Sequence, residues 1–135
     1  MQPIAGQPPI SKARLWTGRI VSGLVAAFMV MDGVMKVMML PVVVEGSKKA
    51  GFPEGSMFWI GWVLLVCTLL YAIPRTSILG AILLTGYLGG AVVVHVRISD
   101  PLFSHTLFPV YFGVLAWGGL YLREHRLPSL IPLKS

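Results

Sequence analysis

The sequence predicts an all-α protein: an integral membrane four-helix bundle with a short extracytoplasmic interfacial helix between its first and second spans. Three observations carry that expectation. The 135 residues are 56% hydrophobic and only 12% charged, against roughly 25% charged in a soluble domain. The apolar residues are gathered into runs of the length a bilayer core demands. Between the runs lie short Pro-, Gly- and Ser-containing turns, too brief for a folded polar domain.

The net charge of +6 could suggest nucleic acid, but a basic balance does so only where the charges share a solvated face. Here they collect at the ends of apolar runs, so they read as anchors and the expected partner is the lipid bilayer, with no nucleic acid. Cys67 is the only cysteine. It excludes an intrachain disulfide, a CxxC redox pair and a thiolate metal cage, and it reads as a small buried hydrophobe.

Residues 1–14 are expected to form a disordered cytoplasmic tail, on the strength of the Pro-, Gly- and Gln-rich start MQPIAGQPPIS. The first span follows at 15–40. Lys12, Arg14 and Arg19 precede its apolar stretch as in a signal peptide, but the run is too long, contains Asp32 and lacks a small-residue cleavage site. Pro41 opens PVVVEGSKKAG, where Lys48, Lys49 and Gly51 supply stop signals for a short helix. Val42 to Val44 would dip toward the membrane, and Glu45 could pair with Lys49 one turn on.

In FPEGS a turn is expected, with Ser56 as N-cap of a second span at 57–73. Trp59 and Trp62 near one end and Tyr71 near the other would form aromatic belts. Pro74 ends the span, and the tight PRTS connection makes a hairpin with the third span, 77–97. Gly86 and Gly90 form a GxxxG there, with Gly80, Ala81 and Gly89 nearby, which reads as a helix-packing face. Asp100 before Pro101 reads as the N-cap of a fourth span at 101–122. Pro109 inside that span would bend it and free the carbonyl of His105. Residues 124–135 form a short cytoplasmic tail.

With four spans, both termini share one side. The termini and the Pro74 turn carry Lys12, Arg14, Arg19, Arg75, Arg123, Arg126 and Lys134, against Lys48, Lys49 and Arg97 in the other connections. Positive charge on the inside then places both termini in the cytoplasm, here of a cell inner membrane.

Asp32 and Lys36 lie four apart within the first span, on one helix face in the favourable acid-before-base order. A central charge in hydrocarbon costs on the order of 3 kcal/mol, so this face should point into protein. The topology puts Asp32, Lys36, His95, Arg97 and His105 all in the outer half of the bundle, where they define a candidate polar pocket opening outward. The inner half has no ionisable residue at comparable depth. Each residue also has a plainer reading. Asp32 with Lys36 is then a structural pair, and Lys36 alone snorkels. His95 bonds a backbone carbonyl, Arg97 anchors to headgroups, and His105 answers only to the Pro109 disruption. Neither a metal nor a haem is expected, since nothing in the spacing makes the two histidines face each other across a flat cavity. No nucleophile elbow, P-loop, GxGxxG or HExxH occurs.

The stretch GRIVSGLVAAFMVMDGVMKV at 18–37, GFP at 51–53 and the block from Ile73 to Arg123, above all LTGYLGGAVVVHVR followed by DPLFSH, resemble the DoxX-like family of small bacterial integral membrane proteins. The resemblance implies a compact four-helix membrane bundle. It implies little about activity. The name-giving relatives form a subunit of an archaeal thiosulfate:quinone oxidoreductase, and others are tied to oxidative-stress assemblies, but no redox residue carries over.

Two functions therefore stand side by side. One is a non-catalytic or accessory subunit attached to a membrane or redox protein partner. The other is a binding site for a small lipophilic ligand such as a quinone, as part of a membrane oxidoreductase, with no other cofactor evident. A proton-linked carrier is the weaker third, because the chain contains no visible internal repeat.

Overall fold

The computed structural model describes residues 11–124 and 127–130. It is all-α, with no strand among the described residues. The helices are α1 (Lys12–Val37), α2 (Pro41–Ala50), α3 (Ser56–Ala72), α4 (Ser77–Arg97), α5 (Phe108–Arg123) and a single turn, α6 (Leu127–Leu130), with a π turn at Leu102–Thr106 before α5. Residues 1–10 of the tail expected at 1–14, and most of that expected at 124–135, fall outside the described residues. Residues 12–14, however, are helical, because Ser11 caps α1 early: its hydroxyl accepts from the Arg14 N–H at 3.2 Å.

α1 packs against α3 and α5, and α4 packs against the same two from the other side. Each of these four helices turns a narrow stripe inward. On α1 the stripe is Gly18, Ser22, Val25, Met29 and Gly33, and on α4 it is Ser77, Gly80, Ala81, Leu84 and Leu88, the spacing of one face of a 3.6-residue helix. Leu64, Tyr71, Leu84 and Leu120 interdigitate at the centre, all but sealed from the surface. Phe28 stacks on Phe112 at 4.4 Å between centroids, with Phe108 on both.

The remaining faces are apolar and uncovered. α1 and α4 are long and apolar enough to cross a membrane, yet only 22% and 28% of their most apolar windows are buried. A core helix of a soluble protein would be covered by its own chain. Helices apolar all round and covered so little need lipid.

Glycines decide how closely the helices approach. A methyl group on Gly61 would lie 2.8 Å from the Gly33 carbonyl oxygen, and one on Gly18 would lie 2.8 Å from that of Gly119. Gly80 lies directly against the backbone of Tyr71 across the α3–α4 hairpin. The expected packing role thus holds for Gly80 and Ala81. Among the described residues no helix of this chain reaches Gly86, Gly89 or Gly90, since a methyl on any of them would meet nothing within 4 Å.

The short helix α2 forms as its signals predict, with Pro41 in its first turn and Gly51 as a left-handed C-cap at φ 81°. Ser56 does not cap α3. Gly55, at φ 82°, holds that position, and the Ser56 hydroxyl donates to the Pro53 carbonyl at 2.7 Å. The fourth span also departs from expectation, since it starts at Phe108 and not at Pro101. Residues 102–106 wind into the π turn, with the Leu107 N–H donating to the Leu102 carbonyl at 2.9 Å. Pro109 therefore lies in the first turn of α5, where a missing N–H removes no helical bond. The bend falls at Leu107, between the π turn and α5 and not inside a helix, and the His105 carbonyl is not left free, because the Leu107 N–H also faces it.

Candidate functional site: a cavity beneath α2

At the end where α1 and α4 finish, α2 lies across α3 and α4 and walls a cavity of about 840 Å³. Val42, Val43, Gly46, Ser47 and Ala50 of α2 line one side. Met57 and Ile60 of α3 and Gly86, Tyr87, Gly90, Ala91 and Val94 of α4 line the others. The charged and imidazole groups of the lining are Lys36, Lys49, His95, Asp100 and His105, with the hydroxyl residues Ser47 and Tyr87 beside them.

Three of the five expected site residues, Lys36, His95 and His105, thus line one cavity. Lys36 is paired with Asp32 one turn below, as the spacing predicts. Asp32 itself does not line the cavity. Its carboxylate is 33% exposed and is held within its own helix by Lys36, with the Tyr87 phenol of α4 close enough to feel its charge. Arg97 is exposed on the outer side of α4, its guanidinium beside Gly51. His105 lies exposed on the π turn, one ring nitrogen 2.8 Å from the Ser104 hydroxyl. The rings of His95 and His105 are 6.3 Å apart.

Asp100 organises this end. Its Oδ2 accepts from His95 Nδ1 at 2.6 Å, and its Oδ1 faces Lys49 Nζ at 3.5 Å. Its backbone carbonyl accepts from the buried Thr106 hydroxyl at 3.1 Å. Asp100 is therefore not the helix cap that Asp-Pro suggested. Ser99 adopts a left-handed φ of 54°, which turns the chain so that residue 100 comes back onto the end of α4. Lys49 likewise pairs with Asp100 and not with Glu45. The His95 hydrogen bond first, and the Lys49 charge with it, holds the Asp100 carboxyl below the ordinary carboxylate range against a partial loss of water.

A carboxylate can only accept, so the proton between these two side chains belongs to His95 Nδ1. That fixes the ring and leaves Nε2 for a ligand, as an acceptor when the imidazole is neutral and as a donor when it is protonated. Lys36, paired with Asp32, supplies a second donor to the same cavity. The cavity can therefore satisfy either a carbonyl or a hydroxyl head, with apolar walls for the remainder. Among the described residues no three His, Cys, Asp or Glu side chains gather as a metal set.

The opposite end holds a polar network that sequence reasoning missed. The Tyr71 hydroxyl donates to the Ala116 carbonyl at 2.7 Å and lies 3.1 Å from Ser22 Oγ. Arg123 donates from Nε to Ser22 Oγ at 2.9 Å and from Nη2 to the Tyr71 carbonyl at 3.0 Å, over the Tyr71 ring. Tyr71 is fully buried, so it belongs to no aromatic belt, and an ionisable group does reach into this half. The only signal for it was Ser22 on the α1 stripe, seven residues before Met29 on the same face.

No curated protein and no solved structure matches the chain significantly. The model of the DoxX-like family matches residues 20–119, from the first turns of α1 to the last of α5 and across every residue of the cavity. The chain belongs to the DoxX-like family.

Proposed function

We propose that the protein crosses a bacterial inner membrane four times, with both termini cytoplasmic, and binds a quinone-like lipophilic molecule in the cavity beneath α2. In this reading it is the ligand-holding, accessory component of a redox-linked membrane assembly and no self-contained catalyst. α2 then lies at the outer interface, with Val42 and Val43 over the cavity and Lys48 toward the headgroups. The observation that carries the binding reading is the Asp100-oriented His95 in the same cavity as Lys36, with walls that are otherwise mostly aliphatic side chains and glycine. That is the makeup of a small-molecule site, a few convergent polar groups in an apolar cleft of ordinary size. Lys36 would donate to a quinone carbonyl, and neutral His95 would accept from the hydroxyl of its reduced form.

The test is equilibrium binding of a decyl-tailed dimethoxy-methyl-benzoquinone to the full chain in lipid nanodiscs. Saturable binding is expected, weakened about tenfold by His95→Phe, the worth of one hydrogen bond to a polar head. Wild-type protein that shows only the probe's partition into lipid would end this reading.

A further inference from the structure

Gly86 and Gly90 pose a question that helix packing within the chain does not answer. Small residues on a membrane helix normally admit a second helix, but here a methyl group on either would meet nothing within 4 Å. Both are exposed and both line the cavity. Gly86 is nine residues before His95, so the cavity runs about 13 Å down α4 from its polar groups. Over that distance the lining changes, from His95 and Asp100 at the top to Ile60, Gly86, Tyr87 and Gly90 below, with Lys36 beside Gly61 at the level of Ile60. A slot with an acid–imidazole pair at one end and mainly glycine and aliphatic lining along α4 below it matches a molecule with a polar head and a hydrocarbon tail.

We infer that Gly86 and Gly90 are specificity-determining residues, which keep the lower cavity open for the hydrocarbon tail of an amphiphile whose head reaches His95. This rests on the binding reading above and adds the tail as a requirement. The exposed glycine faces open the slot sideways along α4, so the tail enters from the acyl region of the bilayer while the head stays near the interface. A compact ring without a tail would leave the lower slot unused. A tail in that slot is removed from lipid no further than it already was, so its contribution is register and contact, not bulk hydrophobic transfer.

The test compares two probes, the dimethoxy-methyl-benzoquinone with and without its decyl tail, on wild type, Gly86→Leu and Gly90→Leu in nanodiscs. Both substitutions enter open space and improve helix propensity, so the fold tolerates them. Each variant is expected to lose affinity for the tailed probe by roughly tenfold, the worth of about ten lost van der Waals contacts, while the tailless probe binds as to wild type. Equal loss for both probes, or loss for neither, would overturn the inference while leaving the binding reading standing. A change in oligomeric mass with unchanged binding would overturn it too, by making the stripe a helix-docking face. If wild type binds neither probe, the binding reading fails and the inference goes with it.

Discussion

Asp100 accepts from His95 with one carboxylate oxygen and faces Lys49 with the other, so it ties α2 to the end of α4. Its carboxyl is held below the ordinary range, and the sign of the resulting pH dependence follows. A group whose folded pKa is lowered stabilises the fold above its unfolded value, about 4, and loses that contribution as pH falls through the lowered one. Asp100→Asn should therefore lower the melting midpoint at neutral pH, and the gap from wild type should close on acidification below about pH 4. A gap that widens in acid would contradict the assignment. At the opposite end, Tyr71→Phe strips a buried hydroxyl from the Ala116 carbonyl and Ser22. A loss of roughly 1–3 kcal/mol in unfolding free energy is expected; a neutral result would mean that Arg123 alone satisfies Ser22. Asp32 with Lys36 was legible in the sequence because four residues on a helix fix their geometry. Asp100 and Lys49 were not, because their pairing depends on the left-handed turn at Ser99 and on where α2 lies, neither of which has a local signature.

The elements themselves were largely legible, and their errors share a cause. Pro41, Gly51 and Pro74 act within one or two residues of where they stand, so α2 and the α3–α4 hairpin came out as read. Pro109 has two permitted positions, a kink inside a helix or the first turn of a shorter one. Only the packing of the π turn against α4 and α5 decides between them. GxxxG is ambiguous in the same way: small residues allow close approach but do not compel it. The contrast is measurable. Gly61→Ala would push a methyl into the Gly33 carbonyl and the Lys36 and Val37 backbone region at 2.8–2.9 Å, costing about 1–3 kcal/mol by overpacking. Gly86→Ala, made in open space, should be neutral or stabilising by up to about 1 kcal/mol. Detergent unfolding of the two variants side by side checks the ordering, and equal destabilisation would place α4 against an unseen helix.

At the scale of the whole molecule, hydrophobicity is turned outward and polar groups are gathered inside its two ends. Ile20, Leu24, Leu79, Ile82 and Val114 lie on the outer faces, while one end carries the α2 cavity and the other the Tyr71–Ser22–Arg123 network. The charge distribution along the chain implies which end faces out. A cysteine replacing Lys48, with Cys67 changed to Ala, should react with a membrane-impermeant maleimide on intact cells, and one replacing Arg75 should not. Reaction at position 75 alone would invert the topology. The central claim, however, is that the space beneath α2 is a binding site, and photolabelling tests it most directly. A photoreactive benzoquinone with a decyl tail should label α2 and the stretch from Val94 to His105, and unlabelled probe should compete the label away. Label confined to the lipid faces of α1 and α5, or untouched by competitor, would contradict it.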